Sequence, residues 1–263
     1  MKSKTIIVTG GASGIGKSVC IRYAELGWCV IFLDIDTLAG ESLRKELCKV
    51  TTAYFYECDF SVLSSVKSAS NLIKNNHPSI NLIIHMARGP YESKNISENI
   101  SFEMERDFNI FIRSPLYMCE KILENLKLGG SSSIIFIGST NSNFISHQPL
   151  SYHVFKGALL QLVKFLAVSW GGSDIRVNLV NPGVVEVPGR LRNNADIFSE
   201  VVKSVIPLER VASSTEVADV CLFLSSSQAS YITGTSIDLD GGEHLKDHFS
   251  LAYKIIESKE TLK

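Results

Sequence analysis

The sequence has no excess of charge of either sign: 26 Lys and Arg stand against 27 Asp and Glu, for a net charge of −1. That balance removes the basic face on which a nucleic-acid binder depends, so no nucleic-acid partner is expected. Its six cysteines form no CxxC pair, and no histidine cluster completes a zinc set. They read as buried small hydrophobes in a reducing compartment, and no metal is expected. No apolar run approaches the ~20 residues of a membrane span, so no membrane association is expected. Met1-Lys2-Ser3-Lys4 leads into an apolar strand rather than a signal-peptide core with a small-residue cleavage site. A cytoplasmic location is the expectation. No linker rich in Pro, Gly or Ser, no low-complexity stretch and no repeat interrupts the 263 residues.

What is present is alternation. The chain is 45% hydrophobic and 20% charged, enough to bury a large core. Strands are predicted at Thr5–Thr9, Cys29–Leu33, Ala53–Glu57, Asn81–Met86, Ser133–Gly138, Ile175–Val180 and Thr235–Leu239. Most are nearly continuous apolar runs, as in a parallel sheet covered on both faces. Helical patterns lie between them, near 14–27, 38–49, 62–76, 102–127, 150–170 and 215–226. In the first, Ile15, Val19, Tyr23 and Leu26 fall on one face. The expectation is α/β: one Rossmann-type doubly wound parallel sheet of about seven strands, helices on both faces, forming a single domain over 1–263. Two irregular segments, Arg88–Ser101 and Pro182–Pro207, leave from strand ends where ligand crevices form, and are candidate site walls or lids.

Between the first strand and first helix runs Thr9-Gly10-Gly11-Ala12-Ser13-Gly14-Ile15-Gly16. Glycines here admit positive φ and let the backbone approach a pyrophosphate, while the helix start offers N–H groups to the anion. The spacing is GxxxGxG, not GxGxxG, and glycine turns also join strands to helices with no ligand. Asp34 follows Gly14 by 20 residues at the end of the second strand. A carboxylate there accepts from ribose hydroxyls and repels a 2′-phosphate, favouring NAD over NADP. Asp59, after the third strand, is placed either to contact the adenine or to cap a helix.

Tyr152 and Lys156 stand at i and i+4 on one helical face, 13 residues after Ser139 at a strand end. With the glycine turn, these residues resemble the short-chain dehydrogenase/reductase family over roughly residues 4–242. Thr9, Gly10, Gly14 and Gly16 match its TGxxxGxG, and Tyr152 and Lys156 its YxxxK. Asn109 matches its helix asparagine, and Asn181-Pro182-Gly183 its Pro-Gly turn. Pro207-Leu208-Glu209-Arg210, Glu216-Val217-Ala218 and Asp240-Gly241-Gly242 fit its last third.

The resemblance implies an enzyme moving a hydride between NAD(H) and a secondary alcohol or ketone. It implies a catalytic set of Asn109, Ser139, Tyr152 and Lys156. Cofactor contacts are implied at Gly10, Ser13, Gly14, Ile15, Gly16, Asp34, Asp59, Phe60, Ala87, Tyr152, Lys156, Pro182, Gly183 and Val185. Tyr152 is then the general acid–base; a free phenol has pKa ~10 and needs help near neutrality. A cation at ~4 Å with an effective dielectric of ~20 contributes roughly 4 kcal/mol, about three pKa units. Lys156 supplies that cation and binds the nicotinamide ribose, Ser139 holds the substrate oxygen, and Asn109 fixes a water between Lys156 and solvent. The partner implied is a small-molecule substrate. A homo-oligomer, tetramer or dimer, is implied with the helices near 102–127 and 150–170 packing across the interface. A lid at about 184–207 and a tail at 243–263 complete the expected layout.

Two departures stand out. The family's Asn-Asn-Ala-Gly is here His85-Met86-Ala87-Arg88, and a customary Thr after the Pro-Gly turn is Val187, which cannot donate a hydrogen bond. Arg88, with Arg190 and Arg192 of the lid, suggests an anionic or sugar-like substrate. The alternative is a dinucleotide-binding sensor or partner protein with impaired catalysis; a methyltransferase shares the glycine-rich start but gives no reason for YxxxK. His147 and His153 have no evident partner in the sequence and are expected at the surface or an oligomer contact.

Overall fold

The computed structural model describes residues 3–89, 100–187, 198, 202, 204–247 and 253. Seven parallel strands form one sheet in the order β3-β2-β1-β4-β5-β6-β9. They are β1 (Thr5–Thr9), β2 (Cys29–Asp34), β3 (Ala53–Glu57), β4 (Leu82–His85), β5 (Ser132–Ile137), β6 (Ile175–Pro182) and β9 (Ser236–Leu239). A separate parallel pair joins β7 (Val185–Glu186) to β8 (Ala212–Ser213). The helices are α1 (Gly14–Glu25), α2 (Thr37–Leu47), α3 (Leu63–Asn76), α4 (Ile100–Phe108), α5 (Ser114–Lys121), α6 (Leu123–Gly129), α7 (Leu150–Trp170) and α8 (Ser214–Ser225).

The central strands are apolar on both faces because both are covered. Ile6, Ile7, Val8, Ile31, Phe32, Ile83 and Ile84 have no exposed surface. Removing each such side chain from water contributes roughly 1.5–3 kcal/mol. One core layer joins Ile7, Ile83, Ile134 and Phe136 to α5 and α7. The other joins Val8, Phe32, Ile84 and Ile135 to α1 and α8. In the strand order, β1 and β4 are neighbours while β2 and β3 run off the other way. The crevice beyond their carboxyl ends is where an open α/β sheet takes a ligand.

Three local readings need correction. The pattern near 102–127 is not one helix: between α4 and α5 the residues Asn109–Arg113 form a π-turn, with the Ser114 N–H donating to the Asn109 carbonyl five residues back. The apolar spacing on either side is still helical, which is why the sequence pattern conceals the break. The segment after β6, read as irregular, contributes the short strand β7. Finally, α7 and the turn after it (Leu150–Ser173) are long and apolar enough to cross a membrane, although polar residues interrupt the run. Here α7 packs on the sheet, with Leu159, Val163 and Leu166 buried.

Candidate active site

Every anticipated site residue that the structure describes lies at or beside the carboxyl edge of the sheet. The turn after β1 is held close to its neighbours: Gly10 and Gly11 both donate N–H bonds to the Leu33 carbonyl, at 2.8 and 3.1 Å. Gly10 has φ +69°, and a Cβ there would come within 2.9 Å of Ala87 Cα. A Cβ on Gly16 would collide with the Gly10 carbonyl oxygen. Only glycine closes this turn. Ser13 begins α1 without a side-chain cap, so the first N–H groups of α1 face the concavity, flanked by Ile15. The site therefore fits a dinucleotide: a backbone cradle that a Cβ would fill, at the positive end of a helix.

Asp34 closes the cradle on one side. Its Oδ2 accepts the Ala12 N–H at 2.9 Å and its Oδ1 accepts the Asp36 N–H at 3.1 Å, which fixes the carboxylate at the mouth. Asp59 does not cap α3. Its Oδ1 accepts from the Ser61 N–H and hydroxyl at 2.8 and 2.6 Å, while Val62 is the capping position. Phe60 is buried, and its carbonyl accepts the Ser114 hydroxyl at 2.8 Å. Across the crevice Pro182 ends β6, the Gly183 N–H donates to the Leu239 carbonyl, and Val185 starts β7. A methyl on Gly14 would lie 3.7 Å from Val187, so that valine packs over the glycine turn at the position where the resembled family customarily has a threonine.

The stretch His85–Arg88 is accommodated by substitutes for the missing asparagine. The Thr9 hydroxyl oxygen accepts the Met86 and Ala87 N–H groups at 3.1 and 3.2 Å, tying β1 to the end of β4. His85 points into the core, stacks on Phe136 and lies 3.1 Å from Cys119 Sγ through Nε2; its Nδ1 is buried without a partner. Burial lowers its pKa to about 3, so the ring is neutral. Arg88 is exposed, and its charge is felt at Lys156. Arg190 and Arg192 lie outside the described residues.

At the end of β5 the Ser139 hydroxyl oxygen accepts the Asn141 N–H at 3.2 Å, in a short turn with 8% of the residue exposed. α7 then presents Tyr152 and Lys156 one turn apart. Lys156 is buried; its Nζ donates to the Ile137 carbonyl at 2.7 Å and sits 5.5 Å from the Tyr152 ring centroid. Burial first, then the Arg88 charge, lower its pKa to about 7, opposed by Asp107. Asp107 is itself fully buried and couples α4 to α7: it accepts from Arg106 Nε at 2.9 Å and from the Ser151 hydroxyl at 2.7 Å.

The Asn109 side chain bridges to the turn after β3. Its Nδ2 donates to the Ser61 carbonyl at 3.0 Å, bracing the turn after β3, and its Oδ1 is buried without a partner. His153, expected at the surface, is buried. The Ser146 N–H donates to its Nε2, and its Nδ1–H donates to the Pro149 carbonyl, both at 2.9 Å. The pattern carried no sign of this clamp because both partners are backbone groups. Phe111 was also missed; its ring meets both Tyr152 and Lys156 and is delivered there by the π-turn.

The glycine turn at the switch point thus faces a hydroxyl, a phenol and a lysine across one crevice. The sequence matches the family described as enoyl-(acyl carrier protein) reductase over residues 10–244. It is 32% identical over 255 residues to a tropinone reductase homolog of Arabidopsis thaliana, covering 92% of this chain and 93% of that one. The fold is similar to L-sorbose reductase from Gluconobacter frateurii, complexed with NADPH and L-sorbose, with TM-score 0.83 at 21% identity, covering 94% and 98% of the two chains. It is also similar to 3-ketoacyl-(acyl-carrier-protein) reductase from Brucella melitensis, complexed with NADH, with TM-score 0.77 at 25% identity, covering 91% and 98%. The chain belongs to the short-chain dehydrogenase/reductase family of oxidoreductases.

Proposed function

We propose that the protein is an NAD-dependent dehydrogenase or reductase, interconverting a secondary alcohol and its ketone with Tyr152 as general acid–base. The observation that carries this reading is the Lys156 ammonium, buried one helical turn from Tyr152 at the crevice that the glycine turn and Ser139 share. When bound, the nicotinamide supplies or takes the hydride. The N–H groups at Gly14–Gly16, the Asp34 carboxylate and Lys156 would hold the dinucleotide, with Asp59, Phe60, Ala87, Pro182, Gly183 and Val185 around it.

In the reducing direction the Tyr152 hydroxyl gives its proton to the substrate oxygen, and the Ser139 hydroxyl donates a hydrogen bond to the same oxygen as charge builds there. Lys156 keeps positive charge beside the phenol and, with a pKa near 7, is able to refill Tyr152 with a proton at neutral pH. The unpartnered Asn109 Oδ1 offers an acceptor for the water of a relay to solvent. Arg88 favours an anionic or hydroxyl-rich substrate. Residues 1–263 act as one catalytic domain; most of the anticipated lid, 184–207, and tail, 243–263, lies outside the described residues.

A homo-oligomer belongs to the same reading: Phe165 and Val168 of α7 are 71% and 87% exposed, Phe102 of α4 66%. All six cysteines are free thiols, which suits a reducing cytoplasm.

The test is NAD(H) absorbance with a panel of secondary alcohols and ketones, comparing wild type with Tyr152→Phe. Loss of the proton donor should cut kcat/KM by ~10²–10⁴ while cofactor binding stays within about twofold. Activity retained in the variant overturns the mechanism. A wild type that binds cofactor yet turns over nothing favours the sensor reading, to which the altered His85–Arg88 stretch lends support.

A further inference from the structure

The Lys156 ammonium is out of water, yet among the described residues no carboxylate bonds to it. It donates instead to a neutral carbonyl, that of Ile137. Asp107 acts on it at a distance, and Arg88 acts against it. A charge in that position needs another source of negative potential. The Phe111 ring supplies it: the ammonium lies 4.3 Å from the ring centroid, within the range where an aromatic face attracts a cation most strongly in the absence of solvent. The same ring meets Tyr152 nearly perpendicularly, with centroids 6.0 Å apart and planes at 79°. Phe111 is 4% exposed, so its ring is held against both.

The backbone explains how it comes to be there. Phe111 is the middle residue of the π-turn Asn109–Arg113. One extra residue in a helical turn rotates the side chains beyond it by about 100° relative to an uninterrupted α-helix. In this chain the offset falls at the crossing with α7.

We propose that Phe111 is a positioning residue of the reaction assigned above, holding the Lys156 ammonium on its face and bracing the Tyr152 ring, which it meets nearly perpendicularly. The proposal rests on the dehydrogenase reading for its purpose but on the contact geometry for its existence, and the two are separable. Phe111 acts through Lys156 and Tyr152.

The experiment tracks the Lys156 charge directly. Protein labelled with 13Cε-lysine is titrated by NMR, with the resonance assigned by its loss in Lys156→Met. Phe111→Leu should lower the Lys156 midpoint by roughly half to one pH unit, and Phe111→Tyr, which keeps the ring, should restore it to within about 0.2. Melting curves establish that each variant is folded, and Phe111→Met, which fills the space without a π face, replaces the leucine variant if that one is not. In turnover, Phe111→Leu should move the acid limb of alcohol oxidation to higher pH and lower kcat about tenfold, with KM changed by less than about threefold. An unmoved Lys156 midpoint in folded Phe111→Leu overturns the proposal, as does a Phe111→Tyr midpoint displaced as far as that of the leucine variant. Wild-type protein that obeys the titration series but transfers no hydride defeats the dehydrogenase reading and leaves the contact established.

Discussion

Asp34 shows what a single carboxylate can decide. Two backbone N–H groups pin its oxygens at the mouth of the glycine cradle. A ribose hydroxyl can donate to the remaining lone pairs, whereas a 2′-phosphate brings negative charge against a fixed negative charge. Tighter binding of NAD than NADP is expected, and Asp34→Ala should narrow the ratio about tenfold or more, read by fluorescence titration with both reduced cofactors. A wild type that prefers NADP contradicts the assignment. Legibility at this scale followed chemistry: glycines, an acid at a strand end and YxxxK have fixed spacings along the chain. His153 had none, since it serves the backbone of Ser146 and Pro149. The Asn109 side chain meets Ser61 on another loop, a contact that no spacing along the chain could announce.

At the scale of elements, the same residues become links between segments. The loop that crosses from Ser139 to α7 is fastened at its far end by His153, whose two ring nitrogens satisfy one N–H and one C=O. In His153→Ala both groups lose their partner, a loss of about 2 kcal/mol that corresponds to roughly 4–8 °C in Tm. Because the loop lies between Ser139 and Tyr152, KM for the substrate should rise several-fold while the Kd for NADH stays put; a KM equal to that of wild type would detach the clamp from the site. Strand boundaries were read to within one or two residues wherever the apolar run was continuous, as in β1 and β3. The break between α4 and α5 was illegible because a π-turn changes the hydrogen-bond register without changing residue type. The β7–β8 pair, two residues a side, is too short to leave a period.

Across the whole molecule, the sheet decides what pH does to stability. His85 is buried and neutral with its pKa lowered from 6.5 to about 3. Between those values the unfolded chain binds a proton that the folded chain does not, so stability falls as pH drops from 6.5 toward 3. At pH 5 the cost is about 2 kcal/mol at 1.36 kcal/mol per unit. Urea unfolding at pH 7 and pH 5 should show wild type losing that much more than His85→Asn; equal losses would mean the ring is not buried as described. Lys156 works in the alkaline range with the same sign: its pKa falls from 10.5 to about 7, so stability rises between those values as the unfolded chain retains the extra proton. The doubly wound sheet itself was plain from the alternation of apolar runs and helical patterns, since each strand covered on both faces must be apolar throughout.

His85 is paired with Cys119, and that thiol has no exposed surface. It rests behind the sheet, on the seam between β4 and α5, with burial raising its pKa far above the usual range. A thiol-seeking reagent reaches the exposed Cys48 directly but at Cys119 must wait for the seam to part, so the rate of modification at Cys119 alone counts those openings rather than the reactivity of sulfur. The chain thus carries an internal clock of its own breathing, set beneath the crevice, and a nucleotide bound across the ends of β1 and β4 is expected to slow it.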